Sequence, residues 1–256
     1  MSTRRLFLAL ASLAATSARP DGLVVKTFDY QASNRVVQCV YAVDWPVGGL
    51  STQVVQRLRT SLLTDAWATP DHQARNPGDN PAPHLVRRAT LFAEGRAGLD
   101  EEAGPSAAWE ERAKLEFLGA CGAVMVYRND SWEYTGGAHG NGAVDYLVYD
   151  SSGARVPSSA WFVPGSEGAL SKLIEAAFRV QKGLAPEAKL GGQGFFEDHI
   201  PPSGVIRPTR EGMEFLYNSY EISPYSEGRP AVTLPWAQVR PHLTGPAKEW
   251  LTGVLP

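Results

Sequence analysis

Two runs of strand-forming residues each end in a turn that few residue types can make, and these turns bound the folds open to the chain. The first is YTGGAHGNG, from Tyr134 to Gly142; the second is YNSYEISPYSEG, from Tyr217 to Gly228. Gly136, Gly137, Gly140 and Gly142 permit positive φ or the close approach of another segment. Asn141 also tolerates left-handed geometry. His139 stands at the tip of this turn. In the second segment Pro224 holds Ser223 extended, and Tyr217, Tyr220 and Tyr225 surround Glu221. Both patterns predict hairpin or crossover loops on a sheet.

The rest of the chain supplies that sheet and its helices. Val36 to Trp45 is rich in β-branched and aromatic residues and ends at Pro46, which predicts a strand. Ser51 is placed to cap a helix running to Trp67, with Val54, Val55, Leu58 and Leu62 on one face. Thr69 to Pro83, dense in proline, predicts a loop, as does Gly95 to Pro105. Between them, His84 to Glu94 has an amphipathic helical pattern. Ala113, Leu115 and Phe117 alternate with Lys114, Glu116 and Leu118, which suits a strand. That strand turns near Ala120–Gly122 and returns as Ala123 to Tyr134. Ala143 to Tyr149 and Ala154 to Phe162 predict a second hairpin. A helix follows over Ser166 to Gln181, then an irregular stretch from Gly183 to Ser203. Strands are expected at Val205–Arg207, Gly212–Tyr217 and Pro230–Leu234, with a last helix over Trp236–Leu243. With no repeating βαβ rhythm, the expected class is α+β: an antiparallel sheet with helices packed on it, as two fused halves in one compact unit. The halves are 19–122 and 123–256.

The chain has 256 residues, 43% hydrophobic and 20% charged, with a formal net charge of −3. That composition excludes a disordered tail, and the scattered basic residues offer no track for nucleic acid. Residues 1–18 differ from the rest. Arg4 and Arg5 precede an apolar run, Leu6 to Ala15, and small residues through Ala18, in the order of an export signal. TRRLFL also resembles the twin-arginine motif with Ala9 in place of its lysine, so the general secretory and twin-arginine routes both stay open. The apolar run is too short for a membrane span. The expected place is the periplasm or beyond. In that oxidising setting Cys39 and Cys121 are candidates for one disulfide, closing a loop of about 80 residues and contributing roughly 4 kcal/mol. Two free buried thiols are the alternative.

No catalytic, metal or cofactor signature is present. PGSEG around Ser166 lacks the first glycine of a nucleophile elbow. His72, His84, His139, His199 and His242 show no zinc spacing, and the glycine-rich turn is neither a phosphate loop nor a dinucleotide fingerprint.

The strand ending in Tyr134–His139 is followed, after a helix, by Tyr217, Asn218, Tyr220, Glu221, Ile222, Pro224, Tyr225 and Gly228, and then by Leu234, Pro235 and Trp236. In that order these residues resemble the extracellular domain of RsiV-type anti-sigma factors, the bacterial lysozyme sensors, over about Ala123 to Leu243. Val36 to about Ala120 resembles, more loosely, the companion domain attached to peptidoglycan deacetylases. Neither the sigma-binding segment and membrane helix of RsiV nor a deacetylase domain is recognisable. The resemblance therefore implies an extracellular module alone, which binds lysozyme or peptidoglycan fragments and performs no chemistry. The expected ligand-binding residues are Tyr134, Gly136, Gly137, His139 and Asn141 in the first turn, and Tyr217, Asn218, Tyr220, Glu221 and Tyr225 in the second. Two other readings stay open: a cell-wall hydrolase or modifying enzyme using His139 with a carboxylate such as Glu221, Glu133 or Asp145, and a structural envelope protein in which both turns only shape the fold.

Overall fold

The computed structural model describes residues 10–18, 22–67, 77–97 and 108–256. The chain is mixed α and β. Six strands, β1 (Leu10–Ala18), β2 (Val24–Ser33), β3 (Val37–Gly48), β4 (Trp109–Cys121), β5 (Val124–Tyr134) and β6 (Asn141–Asp150), form one sheet in sequential order. A second, three-stranded sheet holds β7 (Val205–Pro208), β8 (Gly212–Leu216) and β9 (Ala231–Pro235). The helices are α1 (Thr52–Trp67), α2 (Ala82–Ala97), α3 (Glu167–Gln181), α4 (Trp236–Val239) and α5 (Gly245–Trp250). Among the described residues no helix is long and apolar enough to cross a membrane.

Two compact units divide the chain, and not at a single point. The first takes in the described residues up to Phe117, with Tyr127–Ala143 and Ser152–Ala154; the second holds Leu118–Val126, Val144–Ser151 and Arg155–Pro256. Strands β4, β5 and β6 each begin in one unit and end in the other.

In the first unit β1, β2 and β3 are antiparallel, and β4 then pairs with β3 in parallel, from Val37 opposite Trp109 to Val43 opposite Leu115. The α+β class with antiparallel strands is found, with β3 and β4 as a parallel pair within the larger sheet. Parallel neighbours need a crossover of a dozen or more residues, and α1 and α2 lie in the connection from β3 to β4. Strand β3 turns Val37, Cys39, Tyr41, Val43 and Trp45 inward, and α1 buries Val55, Leu58, Leu62, Leu63 and Trp67. The Ser51 hydroxyl accepts from Val54 N–H at 3.3 Å, as its capping position predicts. The Thr69–Pro83 loop is described only from Pro77 onward, and most of Gly95–Pro105, like Arg4 and Arg5, lies outside the described residues. Of the apolar run read as part of an export signal, Leu10 to Ala15 fall in β1, paired with β2.

Strand β4 keeps the expected alternation: Ala113, Leu115 and Phe117 are buried. One inward position is a carboxylate, Glu111, 8% exposed. Arg88 from α2 donates to its Oε1 through Nε at 3.0 Å and Nη2 at 2.8 Å. The Tyr41 hydroxyl from β3 donates to Oε2. The Arg88 guanidinium also lies over the Tyr41 and Trp67 rings, 5.4 and 6.0 Å from their centroids.

In the second unit α3 buries Leu170, Ile174 and Phe178 in a core shared with Trp161, Phe195, Met213, Phe215, Tyr217 and Trp236. Strands β7, β8 and β9 form an antiparallel meander. Gly122, at φ +60°, makes the β4–β5 turn; a Cβ there would stand 2.2 Å from the Trp250 carbonyl oxygen. The short helix α5 was not expected; Thr244 caps it, accepting from Ala247 N–H at 3.2 Å. The second predicted hairpin is not completed. After β6 the chain makes a single bridge, Tyr149 to Arg155, and one bond from Val156 N–H to Val148 O at 2.8 Å. Pro157 follows, and without an N–H it cannot extend the ladder.

The proposed disulfide is absent: Cys39 and Cys121 are free and buried. Each sits in its own packed environment, Cys39 against Tyr41 on β3 and Cys121 with its Sγ donating to Thr209 O at 3.3 Å. Burial pushes both thiols up to about 11.

Glu111→Ala strands the largely buried Arg88 charge and should lower unfolding free energy by about 3–5 kcal/mol. The double variant Arg88→Leu/Glu111→Leu should recover most of that loss in chemical denaturation. The native thiols should resist a disulfide-exchange reagent, and both should react after denaturation without reductant. Because their folded pKa lies above the unfolded value of 9.0, the protein should lose stability as pH rises from about 9 towards 11, relative to a Cys39→Ala/Cys121→Ala variant.

Candidate functional site

The first turn lies in the first unit and is braced by its own atoms. The Tyr134 hydroxyl donates to Gly137 O at 3.0 Å, and His139 Nδ1 lies 2.8 Å from Gly140 O. Gly136 and Gly137 adopt φ of 109° and 95° with open space where a Cβ would point. Gly140 is needed for contact: a Cβ would stand 2.2 Å from the Trp132 ring. The Arg112 guanidinium covers that indole too, 4.9 Å from the ring centroid. His139 and Asn141 are exposed. Gly136 and Gly137 are therefore explained by backbone geometry and Gly140 by Trp132.

The second segment, in the second unit, divides its residues between core and surface. Tyr217 is 2% exposed, and its hydroxyl donates to Pro201 O at 2.7 Å. Burial raises its pKa, with the Glu221 charge adding to the effect. Asn218 uses both ends of its amide on one β6 residue: Oδ1 accepts from Val144 N–H at 2.8 Å and Nδ2 donates to Val144 O at 3.1 Å. It mimics a strand pairing. Ile222 is buried, and its carbonyl accepts from Phe196 N–H at 2.9 Å.

Three side chains point outward. Tyr220 is 53% exposed and Tyr225 42% exposed, their ring centroids 6.0 Å apart. Glu221 beside them is also exposed. Tyr220 is the one non-glycine residue at positive φ among the described residues, at 71°. A local turn holds it there: Tyr220 N–H donates to Ser223 O at 3.0 Å, and Glu221 N–H to Asn218 O at 3.2 Å. Phe196, 53% exposed, is tied to the same segment by its backbone bond to Ile222. Sequence reasoning missed it, because Phe195 and Phe196 are adjacent in an irregular stretch and nothing in the pattern says which one enters the core. Phe195 does, against Phe178 at 4.9 Å between centroids.

A second polar cluster was also missed. Ser171 and Glu175 on α3 both address His199 through the same nitrogen, Nδ1, at 3.2 and 3.1 Å. A hydrolytic triad uses opposite imidazole nitrogens for its nucleophile and its carboxylate. Here Ser171 Oγ also donates to Ile200 O at 2.6 Å. The cluster is a bracket that ties residues 199–200 to the helix. No group of three or more His, Cys, Asp or Glu among the described residues could hold a metal ion.

The division within the second segment is testable. Asn218→Ala leaves a backbone N–H and a carbonyl of β6 without their partners and should cost about 1–3 kcal/mol in denaturant unfolding. Glu221→Ala, at an exposed side chain, should stay within about 0.5 kcal/mol of the parent.

Comparison with known proteins supports the fold and one part of the chain. A family model described as a protein of unknown function, DUF3298, matches residues 161–237. This stretch runs from Trp161 through α3 and the three-stranded sheet and includes the second segment; the first turn lies outside it. A solved DUF3298 family protein from Bacteroides fragilis superposes with a TM-score of 0.73 at 18% identity, covering 91% of this chain and 99% of its own. Another from Pseudomonas aeruginosa gives a TM-score of 0.53 at 15% identity, covering 98% of this chain and 95% of its own. No curated protein matches the chain. The chain thus shares the fold of solved DUF3298 proteins and carries a match to that family of unknown function over residues 161–237.

Proposed function

We propose that this protein is an exported, non-catalytic binding module that engages a macromolecular partner through the aromatic loop of its second unit. The observation that carries this reading is Tyr220. An exposed tyrosine ring held at φ 71° sits in backbone that disfavours a side chain by roughly 1–2 kcal/mol relative to glycine. Strain of this kind concentrates at binding and switch sites. Tyr225 and Phe196 widen the surface with rings that combine apolar area with few rotatable bonds, as binding loops commonly do.

The RsiV-type resemblance of the same segment makes lysozyme the first partner to try and peptidoglycan fragments the second. Export rests on Arg4, Arg5 and the apolar run that follows. The catalytic alternative centres on His139, whose Nδ1 is directed at its own backbone; that contact serves a turn as well as it serves chemistry.

Calorimetric titration with c-type lysozyme, beside a lysozyme activity assay, tests the proposal. Micromolar or tighter binding is expected. Tyr220→Gly should bind at least tenfold more weakly while keeping or raising the melting temperature, since glycine relieves the backbone. Absence of heat with lysozyme removes that partner. Unchanged affinity in Tyr220→Gly removes the loop.

A further inference from the structure

Among the described residues β9 is an edge of the three-stranded sheet, and its register with β8 says which backbone groups it leaves unpaired. In an antiparallel pair, residues that exchange both hydrogen bonds alternate with residues whose N–H and C=O point away from the partner strand. Tyr217 N–H donates to Pro230 O at 2.9 Å at one end of the pairing, and Trp236 N–H to Glu211 O at 3.3 Å at the other. From both ends the alternation has Val232 and Leu234 bonding to β8, while Ala231, Thr233 and Pro235 turn their backbone outward. Pro235 has only a carbonyl to offer; Ala231 and Thr233 present both groups. Beside this edge, within the second unit, a groove of about 440 Å³ runs between α3, β9 and α4. Leu173, Ala176, Ala177 and Val180 line it from one flank of α3, and Val232 and Leu234 from the strand. Val180 is 80% exposed.

We propose that this edge and groove receive an extended peptide segment of another protein, added to β9 as an antiparallel fourth strand. The outward backbone groups specify an occupant in strand form, whose main chain supplies affinity while alternate side chains supply selectivity. Val232 and Leu234 are buried in the core with α3, and Thr233 between them is exposed. Side chains alternate across a strand, so the incoming residues opposite Val232 and Leu234 face α3 and enter the groove. The residue between them pairs its backbone with Thr233 and faces away. No charged residue lines the groove, so a charge carried into it would be unpaired; the two entering side chains are apolar. A second copy of this chain does not fit the same edge. Helix α3 packs on β9 itself, and a two-fold pairing of β9 edges keeps both α3 helices on one face. The paired strands would stand about 4.8 Å apart, whereas packed helices need about 8–10 Å. The occupant therefore carries no helix over its strand, as a tail or linker segment does.

The full chain, labelled with nitrogen-15, is titrated with the peptide acetyl-KVTVTK-amide while its backbone amides are followed by NMR. The Ala231 and Thr233 amide protons are expected to move downfield at millimolar peptide, and those of Val232 and Leu234, already bonded to β8, to move less. The same peptide N-methylated at its third residue loses the N–H that faces Thr233 O and should bind at least tenfold more weakly. Proline is tolerated on an edge strand where the N–H points outward, so Thr233→Pro should fold and lose the peptide. Ala176→Trp, at an exposed helix position, should fill the groove and weaken binding at least tenfold, which keeps the test open should Thr233→Pro not fold. Tyr220→Gly should bind the peptide as the parent does, since this edge is separate from the aromatic loop. Unmoved Ala231 and Thr233 amides, equal binding of the methylated peptide, or unchanged binding in Ala176→Trp would overturn the inference. So would a dimer in which the Thr233 amide is protected without peptide.

Discussion

The first unit depends on one buried carboxylate. Glu111 sits on the inward face of β4, where alternation calls for an apolar residue, and binds α2 through Arg88 and β3 through Tyr41. Three elements distant in sequence are thereby held to one point. This is also where the sheet departs from antiparallel order. A parallel β3–β4 pair demands a long connection, and a long connection has many ways to pack. A charge that can be satisfied by only one arrangement of helix and strand selects among them. Apolar residues there would hold the elements together with less discrimination; a missing partner would leave an ion in the core.

In the second unit the tyrosine-rich segment shows how one motif serves stability and surface together. Tyr217, Asn218 and Ile222 face inward and tie the loop to Pro201, to β6 and to the core. Tyr220, Glu221 and Tyr225 are left outside by the same turn. A loop fixed at some of its residues presents the others with little loss of conformational freedom on binding, which is what a recognition surface needs. The first turn works differently. Its tyrosine and histidine bond to neighbouring carbonyls, and Gly140 lies against Trp132. Its residue types suggested a ligand; in the structure Gly136 and Gly137 take positive φ and Gly140 packs on Trp132.

Most strands and helices were legible because burial imposes a period. The alternation of Ala113, Leu115 and Phe117 placed β4, and the spacing of Leu58 and Leu62 placed α1. The second hairpin failed because Ala154 to Phe162 has suitable composition while Pro157 interrupts the ladder. The Cys39–Cys121 pairing failed because compartment and loop length say nothing about the surroundings of each thiol. Of the ten residues expected to bind, no local pattern separated those turned inward, such as Tyr217, from those turned outward, such as Tyr220.

By itself the sequence determined the α+β class, the positions of elements such as β3, β4, α1 and α3, and the two turns, because periodicity, proline and glycine act locally on the backbone; β2 and α5 were not read from it. Only the tertiary structure decided the parallel β3–β4 pair, the free thiols, the inward course of Asn218 and the exposure of Phe196 and Tyr220. Tyr220 is held by its own local turn; the others are set by partners far along the chain, such as Val144 for Asn218 and Ile222 for Phe196, and a contact between distant residues leaves no periodic trace in either one.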